Sequence, residues 1–173
     1  MRTYRRHRSL AAKVKSRSAL KKIIAGIKKA GGKVVFTNGC FDILHYGHVR
    51  YLEDAKKLGN CLVVALNSDL SVKKIKGQGR PLVRQQDRAK VIASLESVDY
   101  VTIFNETTPL TLINLLQPDL LVKGGDWEPG AIVGAKEVRD SGGKVRTIAL
   151  AKGRSTTSLI KKIAKTYCSQ SNL

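Results

Sequence analysis

"CLVVALN", residues 61–67, places six apolar residues in succession and closes them with an asparagine. A strand with one face in water alternates; an unbroken apolar run of this length belongs to a strand covered on both faces. Four more short β-rich runs flank it: "KVVFTN" (33–38), "YVTIF" (100–104), "DLLVKG" (119–124) and "KVRTIAL" (144–150). Helical patterns separate them. They run from about Gly47 to Leu58, then "RQQDRAKVIASLES", "TPLTLINLLQ", "IVGAKEVRDSGG" and, after the last strand, "STTSLIKKIAKTY". Strands and helices in such alternation predict a parallel sheet with helices on both faces, a doubly wound α/β fold.

"ALKKIIAGIKKAGGK" reads as a lead helix with Leu20, Ile23, Ile24 and Ile27 on one face and Gly31-Gly32 as its stop. The polar stretch "SVKKIKGQGRP" (71–81), rich in Lys and Gly, reads as a mobile loop. The expected division is a basic leader (1–16), a lead helix (17–32), one α/β domain (33–167) and a short tail (168–173).

Charge is unevenly spread. The chain of 173 residues has a formal net charge of +19, and twelve of its 32 Lys and Arg residues precede the first acidic one, Asp42. Such a leader can attract nucleic acid or another anionic surface non-specifically; a solvated extension explains it equally well. No apolar run approaches the roughly 20 residues that cross a bilayer. Three cysteines are too few for a disulfide framework or a zinc site, which favours a reducing cytoplasm.

In open parallel sheets, ligands bind beyond the carboxyl ends of the strands where the strand order reverses. That rule directs attention to residues 38–48, 67–69, 123–127 and 153–157. Neither the G-x-G-x-x-G fingerprint nor the P-loop follows the first strand. His45-x-Gly47-His48 stands there instead, at a helix entrance whose N–H groups and dipole favour a phosphate. Imidazoles three apart share a face, and Gly47 permits close approach. On those four letters alone, metal ligands or ordinary helix-start residues remain open.

The surrounding letters narrow the choice. "NGCFDILHYGHVRYLEDAKKLGNCLVVALNSD" resembles the H-x-G-H nucleotidyltransferase superfamily, through Gly39–Asp42, His45-x-x-His48 and Asn67-Ser68-Asp69. Arg88, Lys123–Trp127 and Ser155-Thr156-Thr157 match in the same order. Among its branches the chain is most similar to the heptose 1-phosphate adenylyltransferases, through "KG..RP", "PDLLVKGGDW", "GAKEV...GGKV" and "STTSLIKKI". Glycerol-3-phosphate cytidylyltransferases share the plan but differ at Gly125 and Arg154.

The resemblance implies a Rossmann-like, five-stranded parallel sheet of the nucleotidyltransferase type, in a stand-alone version without a fused sugar kinase. It implies transfer of AMP from ATP to a sugar 1-phosphate, with Mg²⁺ carried mainly by the ATP phosphates and no dedicated metal site. A cytoplasmic homodimer is expected from the same source. The site it implies has His45, His48, Lys123 and Arg88 as catalytic groups. Asn38, Gly39, Cys40, Phe41, Asp42, Gly47, Gly124, Asp126, Ser155, Thr156 and Thr157 would hold the nucleotide. Asn67, Asp69, Lys76, Arg80 and Trp127 would meet the second substrate, with Lys73 and Lys74 in the same loop. Asp42, next to an anion site, is expected to brace Lys, His or the Gly39–Cys40 turn, or equally to serve a purely structural role. A cytidylyltransferase for glycerol 3-phosphate or ethanolamine phosphate, an FAD-forming adenylyltransferase, and a basic nucleic-acid-binding protein on this scaffold are the rival readings.

Overall fold

The computed structural model describes residues 9–125, 127–128, 131–149 and 155–167. Five strands form one sheet in the order β3-β2-β1-β4-β5: β1 Val34–Gly39, β2 Cys61–Asn67, β3 Tyr100–Phe104, β4 Leu120–Gly124 and β5 Lys144–Ile148. Every neighbouring pair is parallel. β2 is buried along its whole length, as its unbroken apolar run requires.

Parity within the strands divides the core into two layers. Val34 and Phe36 of β1 and Val63 and Ala65 of β2 face one side, with Leu20 and Ile24 of α2 (Arg17–Lys29), Leu112 and Ile113 of α6 (Leu110–Leu116) and Val138 of α7 (Ala135–Asp140). Val35, Leu62, Val64 and Leu66 face the other, against Tyr51, Leu52 and Ala55 of α3 (Tyr46–Lys56) and Ala89, Ile92 and Ala93 of α5 (Gln85–Ser94). The chain winds outward from β1 to β3 over one face, returns beside β1, and winds outward again to β5 over the other. Right-handed crossovers on a single sheet produce that arrangement.

Two local differences from the expected elements have physical causes. The segment read as a mobile loop begins with a helix, α4 (Asp69–Lys76). Ser68 caps it by accepting from Ser71 N at 3.2 Å, and Val72 is fully buried beneath it. Its lysines point outward, which gave the stretch the composition of a loop. α3 starts at Tyr46, one residue early, with His45 as its extended N-cap.

Residues 9–16, the second half of the basic leader, carry the short helix α1 (Leu10–Lys13) and a bridge from Val14 to Val101 on the sheet edge. Lys15 N donates to Val101 O at 2.8 Å, and Arg17 grips Glu106 with both Nη atoms at 2.7 and 2.6 Å. The remaining element, α8 (Thr156–Tyr167), follows β5. Asp126, Arg154 and the tail 168–173 lie outside the described residues.

Candidate active site

The strand order reverses between β1 and β4, and one polar contact spans the carboxyl ends there. Lys123 Nζ donates to Asn38 Oδ1 at 2.9 Å, with Asn38 O at 3.4 Å. Burial lowers the Lys123 pKa, and its hydrogen-bond partners are neutral. A half-buried ammonium satisfied only by dipoles retains attraction for an anion. Beneath it Tyr51 Oη lies 2.7 Å from Thr37 Oγ1 and donates to Val122 O at 3.2 Å, joining α3, β1 and β4. Burial pushes the Tyr51 phenol up to about 12. The Thr37–Tyr51 pair was missed in the sequence; Tyr51 three positions after His48, on one helical face, was the available signal.

The turn after β1 is tightly folded. A Cβ on Gly39 would stand 2.8 Å from the Phe41 ring, so only glycine leaves that ring its place. Phe41 itself has φ 43°, a left-handed conformation that a bulky residue adopts only under surrounding constraint. Its ring meets His48 edge-on at 5.1 Å. His48 stacks on His45 at 3.8 Å between centroids, with the planes 19° apart. The imidazole of His45 does not cap α3; its backbone carbonyl instead accepts from His48 N at 2.9 Å and Val49 N at 3.3 Å. Burial, reinforced by His45, lowers the His48 pKa to about 4, and its Nδ1 is buried with no hydrogen-bond partner among the described residues. At neutral pH His48 is therefore an uncharged group on an anion-favouring helix start.

Asp42 takes up a structural tie to the loop after α4 and forms no hydrogen bond to a lysine or histidine among the described residues. Its carboxylate accepts from Arg80 Nε at 2.6 Å, Leu82 N at 2.9 and 3.0 Å, and Val83 N at 2.9 Å. Burial works to raise its pKa, but these donors outweigh that and hold it below the usual range. Asp42 thus anchors the loop between α4 and α5 and aims Arg80; the brace runs to the loop and not to the histidines.

Arg88 meets an anionic partner, Asp69, inside the protein. It is 1% exposed. Its Nε donates to Val83 O at 2.9 Å, Nη2 to Asn67 O at 2.9 Å and Asp69 Oδ1 at 2.8 Å, and Nη1 to Cys40 O. Four of its five N–H donors are engaged inside the protein, and through them it clasps the ends of β1 and β2. Asn67 belongs to the same scaffold: it is 3% exposed, and its Nδ2 donates to Ser71 Oγ at 2.9 Å. Asp69 accepts from Arg88 Nη2 at 2.8 Å, and its side chain is 35% exposed.

Lys76 and Arg80 reach the turn. Burial raises the Cys40 thiol pKa, and Lys76, Arg88 and Arg80 each oppose the rise through space. Lys73 and Lys74 are exposed on α4. On α8, Ser155 is the N-cap, accepting from Ser158 N at 3.0 Å, while Thr156 Oγ1 donates to Ile43 O at 3.4 Å and ties the helix start to the loop before His45. Thr157 and Trp127 are exposed, Trp127 at 52%. Gly124 ends β4, and Gly125 adopts φ 108°, which suits only glycine.

The described residues hold no cluster of three or more His, Cys, Asp or Glu side chains fit for a metal ion. The carboxylate nearest the turn, Asp42, is already saturated by nitrogen donors.

A doubly wound parallel sheet with an anion-favouring helix start and a half-buried lysine at its switch point defines a Rossmann-like α/β protein of the nucleotidyltransferase type. A family model described as Cytidylyltransferase-like matches residues 36–164, and the chain belongs to that family. It is 51% identical over 156 residues to Bifunctional protein HldE of Geobacter sulfurreducens, covering 90% of this chain and 32% of that protein. Bifunctional protein HldE of Wolinella succinogenes is 50% identical over 151 residues, covering 87% and 31%. The chain thus spans about a third of the length of these curated relatives. A crystal structure of a lipopolysaccharide core biosynthesis protein from Thermoplasma volcanium superposes with a TM-score of 0.59 at 28% identity, over 72% of this chain and all of that one. Among the described residues no helix is long and apolar enough to cross a membrane.

Proposed function

We propose that the chain transfers AMP from ATP to D-glycero-β-D-manno-heptose 1-phosphate, releasing pyrophosphate and forming ADP-heptose for lipopolysaccharide core or a related glycan. The observations that carry the reading are the stacked His45–His48 pair at the start of α3, the helix that follows β1, and the Lys123–Asn38 bridge between the carboxyl ends of β4 and β1. The similarity to the HldE proteins along most of the chain supports the choice of heptose within the class.

In the proposed reaction, an oxygen of the sugar phosphate attacks the α-phosphorus of ATP. A new P–O bond forms as the bond to the β-phosphate bridging oxygen breaks, and pyrophosphate leaves with that electron pair. A sugar phosphate is ionised at neutral pH, so no general base is needed; the barrier comes from bringing anions together in line. His45, His48 and the N–H groups of α3 donate to the α- and β-phosphate oxygens as charge builds. Lys123 neutralises the α-phosphate, and Asn38 fixes its ammonium. Gly39, Cys40, Gly47 and Gly124 let the nucleotide approach backbone. Ser155, Thr156 and Thr157 receive the β- and γ-phosphates, with Lys76 and Arg80 closing over the incoming phosphate. Asp126 is assigned to a ribose or heptose hydroxyl and Trp127 to the rim. Magnesium bound to the triphosphate would withdraw charge from the phosphorus centre and the leaving group.

The proposal includes a cytoplasmic setting and a homodimer, and leaves non-specific nucleic-acid contact to the leader. Pyrophosphate release is the test, with Mg²⁺ present, ATP and CTP compared, and heptose 1-phosphate set beside glycerol 3-phosphate. Release with ATP and heptose 1-phosphate, lost in His48→Ala, is the expected result. Turnover only with CTP and a polyol phosphate would transfer the chain to the cytidylyltransferases. No turnover with any pair would overturn the enzyme reading.

A further inference from the structure

Much of the basic surplus has no part in the cleft at the carboxyl ends of the strands. Some of it lines a second concavity of about 520 Å³ at their amino ends. Four cations border it, Lys28, Lys33, Lys144 and Arg146, against one carboxylate, Asp119.

That carboxylate is already occupied. Asp119 Oδ2 accepts from Val34 N at 2.8 Å, and Oδ1 lies 3.2 Å from Lys28 Nζ. Lys33, Lys144 and Arg146 are exposed and form no ion pair among the described residues. Lys144 and Arg146 stand two apart on the edge strand β5 and so share a face, while Val145 between them packs against the core.

The shape is as suggestive as the charge. Gly31 and Gly142, at φ 75° and 83°, have open space where a Cβ would stand, so both turns leave the rim unfilled. Leu58 and Leu120 supply an apolar floor. Pockets for small molecules span roughly 300–1,000 Å³. Three cations held around one hollow repel each other, and a polyanion seated among them removes that repulsion and gains charge-assisted hydrogen bonds.

We propose that this amino-end cleft binds a small, nucleotide-sized ligand bearing two or more phosphate groups, with Lys33, Lys144 and Arg146 on the phosphates and the leucine floor beneath its organic part. The site lies across the sheet from the cleft holding His48 and does not depend on the reading proposed for it.

The test is a titration of the full, ¹⁵N-labelled chain with inorganic tripolyphosphate at physiological salt, following glycine amide signals. Gly31, Gly32, Gly142 and Gly143 report this cleft; Gly47 and Gly124 report the other. Saturable shifts at the first group are expected, with affinity falling about tenfold or more in Lys144→Glu/Arg146→Glu. Shifts at Gly47 and Gly124 are expected to persist in that variant, and its dispersed spectrum reports its folding. Lys33→Glu gives an independent charge reversal if the double variant unfolds. Shifts that grow linearly without saturation, or that survive both reversals, would overturn the proposal. So would shifts produced by a short single-stranded oligonucleotide but not by tripolyphosphate, which would make the hollow part of a nucleic-acid surface.

Discussion

Arg80 donates its Nε–H to Asp42 Oδ2 at 2.6 Å, and the pair closes the loop after α4 onto the turn after β1. The side chain of Asp42 is 1% exposed and that of Arg80 22%, so the contact is shielded on the carboxylate side. Two backbone N–H groups share the same carboxylate. Asp42→Asn keeps one acceptor and the size but removes the charge, and is expected to lower stability by about 1–3 kcal/mol. Arg80→Ala alone should cost less, because Leu82 N and Val83 N still satisfy Asp42. Urea unfolding of the two single variants and the double variant checks this; additive losses would show that the two residues are not coupled.

His48 ties stability to pH. Its folded pKa, near 4, lies below the ordinary histidine value of 6.5, because burial and His45 disfavour the cation. The unfolded chain therefore binds more protons between those values. The contribution is complete above pH 6.5 and is lost as pH falls toward 4, reaching at most about 3 kcal/mol. That window lies above the one in which Glu106, held down to about 2 chiefly by Arg17, gives up its own contribution. Unfolding free energies between pH 7 and 4 are expected to fall less steeply in His48→Ala than in the wild type.

The same histidine is expected to dominate turnover. Losing a donor aimed at transition-state charge costs about 3–4 kcal/mol, so His48→Ala should lower kcat by two to three orders of magnitude. A comparable loss is expected for Lys123→Ala, and Asn38→Ala should show a smaller one because the ammonium keeps its charge and loses its aim. Pyrophosphate release at saturating ATP checks all three, with circular dichroism confirming that each variant folds.

The parts of this molecule legible in its sequence are those whose cause is local. The apolar run of β2, the five-strand alternation and, to within one residue, the H-x-G-H helix start are properties of adjacent residues and appear where expected. Asp42 and Arg88 were legible as residues needing a structural tie or an anionic partner, but not in which residues would supply it. The partners of Asp42 lie 38–41 positions away and those of Arg88 up to 48, distances that only the fold closes. α4 was hidden for a different reason: its lysines gave a helix the composition of a loop, and its two anchors, the Ser68 cap and the buried Val72, are single residues. Asp126 and Arg154 stay assigned by resemblance alone.

Arg88 gives the sharpest separation of structure from chemistry. Its guanidinium holds Cys40, Asn67, Asp69 and Val83 in place from a site that is 1% exposed. Removing one partner of a buried, hydrogen-bonded charge typically costs about 3–5 kcal/mol, because three carbonyls and a carboxylate lose their donors together. Arg88→Met is therefore expected to lower stability by about that amount. Arg88→Lys should recover little of it, since an ammonium cannot reproduce the planar fork. A group acting directly on substrate would behave differently, lowering kcat while leaving the unfolding midpoint near that of the wild type. Unfolding curves and kcat measured on the same preparations decide between the two. A stable but inactive Arg88→Met would return Arg88 to the catalytic cleft.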